Sequence, residues 1–157
     1  MKIYMAGPLG FSEAGRDFHK KISRVIEKLG YEILDPWQTP FYNLISRAKG
    51  ISDLNKRQIE WEKLNPMIGR LNTEKIDKCD VLLAVLDGPD VDSGTAAEIG
   101  YAYAKGKKIY GYRGDERILS DNVGAKINLQ VEYFIVESGG QIFHKFRKLV
   151  EELKALH

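Results

Sequence analysis

The sequence predicts an α/β fold, a doubly wound sandwich around a mainly parallel sheet of about five strands. Three observations predict it. Short β-prone runs alternate with helical patterns about five times along the chain. The run VLLAVL at 81–86 is apolar on both faces, as a central strand covered by helices on both sides must be. Gly7-Pro8 and Asp35-Pro36 close the first two strand runs, where a strand hands over to a turn.

Each element follows in order. KIYMA (2–6) is a strand. The next helix sets Ala14, Phe18, Ile22, Val25, Ile26 and Leu29 on one side and stops at Gly30. YEIL (31–34) is a second strand. Residues 37–54 read as a loop with aromatics, and 55–78 as a helix interrupted near Pro66. After VLLAVL comes a helix capped at Asp92 or Ser93, then strand KIYGY (108–112) and a polar loop through Asn128. EYFIV (132–136) reads as the last strand, followed by a Ser-Gly-Gly turn. The terminal amphipathic helix carries Ile142, Phe143, Phe146, Leu149, Val150 and Leu153. No repeat or linker divides the 157 residues, so one domain over 1–157, flavodoxin- or Rossmann-like, is expected.

Composition narrows the function. A net charge of +2, with basic residues dispersed, gives no footprint for nucleic acid or an acidic membrane. One cysteine, Cys79, permits no intrachain disulfide and fits a reducing compartment. MKIYMAGPLG lacks a signal-peptide core and VLLAVL is too short to span a bilayer, so a cytoplasmic location is expected. Three histidines and no paired-ligand spacing make a protein-bound metal unexpected.

Nucleotide motifs fail at the first turn. GPLGFSEAG (7–15) lacks GxGxxG spacing, and Arg16-Asp17 stands where a P-loop needs Lys and Ser or Thr. What remains is a glycine-rich turn containing Gly7 and Phe11 at the carboxyl end of strand one, where open α/β sheets bind ligands.

The chemistry centres on DSGTAAEIGYAYAKGK (92–107). Glu98 is the one charged residue between Asp92 and Lys105, in a helix rich in Ala, Ile and Tyr. Such a helix is largely buried, and an unpaired buried carboxylate costs several kcal/mol, so a partner or a function is required. Tyr4 on the first strand is a candidate donor. Gly94, four residues earlier, leaves open space over the preceding turn, toward which the Glu98 side chain points. Asp92 is a helix cap by position; lying beside the site, it can also straddle a small substrate with Glu98, a pairing that serves glycosyl cleavage. Asn72 shares an apolar stripe with Ile68 and Ile76, where an asparagine is more often a satisfied core group than a ligand contact.

IYMAGP (3–8), N-x-x-x-I-x-x-x-D (72–80), DSGTAAEIGYAYAKGK and INL (127–129) together resemble the nucleoside 2-deoxyribosyltransferases. The resemblance runs in order over nearly the whole chain, and related N-glycoside hydrolases of deoxynucleoside monophosphates share much of it. It implies that Glu98 attacks the anomeric carbon of deoxyribose, that Tyr4 holds Glu98, and that Asp92 lines the site near the departing base. It implies that Asn128 reaches the sugar 5′-hydroxyl from a neighbouring subunit, in a homo-oligomer built from dimers with shared sites. Asn72 stands where family members carry a base-contacting aspartate or asparagine. Phe11, Trp37 and Trp61 are stacking candidates, Phe11 first. The expected substrates are a 2′-deoxyribonucleoside and a free nucleobase, with no cofactor.

Two other readings stay open. Water in place of the acceptor base gives hydrolysis of a deoxynucleoside 5′-monophosphate, for which Ser12, Arg16, Arg113 and Arg117 are the available phosphate donors. A binding domain without chemistry would use Glu98 only as a hydrogen-bond acceptor. The loop 113–126 is read as either a closure over the site or an interface.

Overall fold

The computed structural model describes residues 1–117 and 120–156. Ile118 and Leu119, inside the 113–126 loop, and His157 lie outside the described residues. The strands are β1 (Lys2–Ala6), β2 (Glu32–Leu34), β3 (Val81–Val85), β4 (Lys108–Tyr112) and β5 (Ile142–Phe143). They form one parallel sheet in the order β2-β1-β3-β4-β5. The helices are α1 (Glu13–Lys28), α2 (Tyr42–Gly50), α3 (Leu54–Lys78), α4 (Ser93–Ala104), α5 (Leu129–Glu137) and α6 (Phe146–Ala155).

Side-chain alternation sorts the sheet into two cores. Ile3, Met5, Val81, Leu83, Val85 and Tyr110 face one side, with Ile22 and Ile26 of α1 and Leu149 and Leu153 of α6. Tyr4, Ala6, Leu82, Ala84, Leu86 and Ile109 face the other, with Ile76 of α3, Ile99 and Ala102 of α4, and Val131 and Ile135 of α5. Every residue of β3 is buried, as its uniform apolarity predicts. The chain runs outward from β1 to β2 and then returns past it to β3. Between β1 and β3 the winding reverses, and the crevice above their carboxyl ends is where such sheets take ligands.

Several local expectations need correction. EYFIV is helix α5, not a strand. Its β-branched and aromatic residues suggest extension, but Asn128 caps the segment by accepting from Gln130 N (3.1 Å) and Val131 N (3.2 Å). Val131 and Ile135, four apart, then bury one helical face. The Ser-Gly-Gly sequence is the stop of that helix: Gly139 adopts φ 80, and a Cβ at Gly140 would fall 1.6 Å from the Ile109 carbonyl oxygen. Only glycine lets the chain cross there, and it emerges as β5. Ile142 and Phe143 therefore belong to a strand, and the last helix begins at Phe146.

Residues 37–54 contain helix α2, and α3 runs unbroken through Pro66. Pro66 is solvent-exposed, as are its neighbours Asn65 and Met67 and also Glu62, whose carbonyl lacks the bond that a residue-66 N–H would give. Ala14 is exposed rather than part of the α1 core face. Among the described residues, no helix is long and apolar enough to cross a membrane.

Candidate active site

Tyr4 sits in the middle of β1 and, by strand alternation, points to the face covered by α3 and α4. Asp92 caps α4 and puts Glu98 in its second turn. These two placements bring the Tyr4 hydroxyl to 2.6 Å from Glu98 Oε1, to which it donates. Tyr4 is 0% exposed. Burial, and next the Glu98 charge, push its hydroxyl far above the usual phenol range, so it remains a donor. Glu98 is raised to about 7: burial disfavours its charge most, and the Asp92 charge adds to this against the Tyr4 hydrogen bond. A carboxylate whose charge burial disfavours, and whose partner is a phenol rather than a cation, is a functional-site candidate.

The Asp92 cap uses one oxygen. Oδ2 accepts from Thr95 N (2.9 Å) and Thr95 Oγ1 (3.0 Å), with Thr95 itself buried. The space expected over Gly94 is bordered by this same carboxylate: a Cβ at Gly94 would lie 3.2 Å from Asp92 Oδ2. Gly7 ends β1 at φ 149, and a Cβ there would lie 3.1 Å from the Val85 Cβ. It allows β1 and β3 to approach at the winding reversal.

Phe11 stands 75% exposed in the 3-10 turn after β1, its ring edge-on to Trp37 at 4.8 Å. Asn72 lies one turn before Ile76, which packs in the same cluster as Tyr4 and Ile99. Its Oδ1 is buried and has no hydrogen-bond partner, so the expectation of a satisfied core asparagine fails at this atom. Trp61 lines an open groove of about 570 Å³ between α2 and α3 with Lys49, Leu54, Arg57 and Gln58.

Asn128 lines a separate cleft of about 200 Å³ with Asp90, Ser120 and Asp121. The structure joins Tyr4, Glu98 and Asp92, whereas Asn128 makes no described bond to them.

The four phosphate candidates are engaged within the chain. Ser12 Oγ caps α1 by accepting from Gly15 N, and Arg16 donates to the Gly10 carbonyl at 3.2 Å. Arg113 is buried, donating to the Leu86 and Arg117 carbonyls at 2.6 Å each. Arg117 pairs with Asp115.

Sequence reasoning missed the fastening of the loop after β2. Lys75 Nζ donates to the Asp35 and Gln38 carbonyls at 2.6 Å each, and buried Asp35 accepts from Trp37 N at 2.9 Å. Backbone carbonyls have no residue-type signature, so no sequence pattern marks such partners.

The family model described as nucleoside 2-deoxyribosyltransferase matches residues 3–134. A conserved protein of Enterococcus faecalis has the same fold at TM-score 0.72 and 26% identity, covering 100% of this chain and 99% of that one. A 2-desoxiribosyltransferase of Leishmania mexicana follows at TM-score 0.67 and 22% identity, covering 99% and 98%. A CMP N-glycosidase of Clostridium botulinum superposes at TM-score 0.61 and 18% identity, covering both chains fully (100% and 100%). At these last two identities the likeness is one of fold. An uncharacterized Schizosaccharomyces pombe protein is 25% identical over 125 residues, 77% of this chain. The chain spans about half (54%) of the length of that curated relative. With the matched segment running from β1 through most of α5 and including Tyr4, Asp92 and Glu98, the chain belongs to the nucleoside 2-deoxyribosyltransferase family.

Proposed function

We propose that the protein exchanges the base of 2′-deoxyribonucleosides through a covalent deoxyribosyl–Glu98 intermediate, residues 1–157 acting as one domain. The observation that carries this reading is the 2.6 Å Tyr4–Glu98 contact on a half-buried carboxylate raised to about 7. Tyr4 occupies Oε1, which leaves Oε2 for the anomeric carbon. As the new C–O bond forms, the C–N bond breaks and its electron pair leaves with the base, which takes up a proton. Asp92, fixed by Thr95, is the group assigned to that proton. An acceptor base then attacks the same carbon, the C–O bond breaks, its pair returns to Glu98, and the acceptor nitrogen passes its proton to Asp92, left ionised by the first step. Two inversions give retained configuration.

Hydrolysis of a 5′-monophosphate is the nearest alternative. The engagement of Ser12, Arg16, Arg113 and Arg117 within the chain weighs against it. So does the cleft at Asn128, where a phosphate dianion would meet the carboxylates of Asp90 and Asp121 while a hydroxyl would suit the neutral amide. Asn128 is read as serving a neighbouring subunit's sugar. The exposed Leu129, Tyr133 and Val136 beside it on α5 support a second copy of this chain covering that face.

The test is incubation with 2′-deoxyinosine, with and without adenine. Adenine-dependent formation of 2′-deoxyadenosine is expected. Hypoxanthine release without exchange would favour hydrolysis, and silence with nucleoside and monophosphate alike would favour a binding domain.

A further inference from the structure

The segment leaving β4 is fastened at both of its ends. At the start, the Arg113 guanidinium, 3% exposed, donates to the Leu86 and Arg117 carbonyls at 2.6 Å each. Leu86 N donates to the Tyr112 carbonyl and Arg113 N to the Phe143 carbonyl, both at 2.8 Å, so Arg113 and Leu86 stand on the continued ladder of the sheet. Arg117 stands on the loop, and the guanidinium ties it to that rigid frame. At the far end, Asp121 Oδ2 accepts from Leu129 N at 2.7 Å. Next to Leu129, Asn128 caps α5 through Oδ1, which leaves Nδ2 as the donor it can offer to the cleft it lines with Asp90, Ser120 and Asp121.

Two residues separate Arg117 from Ser120, so the chain allows Ser120 no more than about 11 Å from Arg117. By holding Arg117, Arg113 limits where Ser120 and Asp121 stand, and Asp121 holds the start of α5 beside Asn128. Both described partners of the guanidinium are main-chain carbonyls. A buried cation without a carboxylate carries a desolvation cost that an apolar residue of similar size avoids, so stability gives no reason for an arginine here. Asp92 does not depend on this link, because Thr95 fixes it within α4.

We propose that Arg113 is a positioning residue that acts across subunits, setting Asn128 of its own chain for the sugar bound in the neighbouring chain. This rests on the reading that Asn128 serves a neighbouring subunit's site. Base release from 2′-deoxyinosine is the readout, and it is the same whether adenine or water takes the sugar. Arg113→Met lowers kcat/KM about tenfold, the loss of about one hydrogen bond to the sugar, with the fold checked by circular dichroism. Arg113→Lys keeps one donor and recovers part; if Arg113→Met does not fold, the lysine variant carries the same test.

Refolding variants together assigns the site that Arg113 serves. Arg113→Met mixed with Glu98→Gln regains activity, because about a quarter of the sites join an intact Glu98 to an Asn128 set by an intact Arg113. Arg113→Met mixed with Asn128→Ser does not, because both defects lie in the half-site that each chain donates. Serine keeps a cap on α5. Asn128→Ser mixed with Glu98→Gln is the control for Asn128 itself.

Recovery with Asn128→Ser but not with Glu98→Gln would overturn the proposal and place Arg113 in its own chain's site. Recovery in the control without recovery of Arg113→Met and Glu98→Gln overturns the role of Arg113 and leaves that of Asn128. Recovery in neither overturns both.

Discussion

Tyr4, in the centre of β1, donates its hydroxyl to Oε1 of Glu98, ninety-four positions along the chain in the second turn of α4, at 2.6 Å. Tyr4 is wholly buried, so one oxygen of Glu98 is fixed and the other carries no bond to Tyr4. Replacing Glu98 by Gln keeps an acceptor for Tyr4 and removes the proposed nucleophile. Turnover should fall by about a thousandfold or more, with the fold and some nucleoside binding retained. Steady-state kinetics alongside equilibrium binding checks it; substantial residual turnover would exclude Glu98 as the nucleophile.

With Glu98 as the nucleophile, only its ionised form would attack, and activity should rise with pH through about 7. Stability should move the other way. An unfolded glutamate titrates near 4.5 and the folded one at about 7, so between those values the folded chain holds the extra proton. Stability contributed by this site therefore falls as pH rises from about 4.5 to 7, with the full cost present above 7. Glu98→Gln should raise stability at pH 8 by on the order of 1–3 kcal/mol and change little at pH 4. Denaturant melts at the two pH values measure it.

Tyr4→Phe removes the hydrogen bond that draws Glu98 down. The kinetic pKa should move above about 7, and the rate near pH 6 should drop by about ten- to a hundredfold. A pH–rate profile of the variant decides; an unshifted profile would mean that Tyr4 does not tune Glu98.

Asp92 carries two roles that substitution can separate. Asparagine keeps an acceptor for Thr95 N and caps well, so Asp92→Asn should cost little stability while lowering kcat. Asp92→Ala should lose about 1 kcal/mol in addition. Equal activity in Asp92→Asn and the parent would leave Asp92 as a cap alone.

If Asn128 serves a neighbouring subunit, Glu98→Gln and Asn128→Ala chains, each nearly inactive, should regain activity when mixed and refolded together. About a quarter of the resulting sites pair an intact Glu98 with an intact Asn128 from the other copy. No recovery would place Asn128 in its own chain's site or outside any site.

Much of the framework was legible. Strands β1 to β4 are marked by apolar runs, and α4 by its aspartate cap and small residues. The Tyr4–Glu98 pair was legible because a single charge in an apolar helix demands a partner, and Tyr4 offers one from the adjacent strand. Helix α5 was not, since its β-branched and aromatic composition favours a strand while its cap and the close approach at Gly140 decide for a helix. The Lys75 anchor lay beyond reading, its partners being main-chain oxygens about forty residues away. The unsatisfied Asn72 oxygen was hidden for the same reason: sequence shows where a polar side chain falls, but not which atoms surround it.

The most direct test of the central claim is intact-protein mass spectrometry after rapid mixing with 2′-deoxyinosine, followed by peptide mapping. One deoxyribosyl group attached to Glu98, discharged on adding adenine with formation of 2′-deoxyadenosine, is the predicted result. Turnover proceeding with no adduct at Glu98, or with an adduct on another residue, would contradict it.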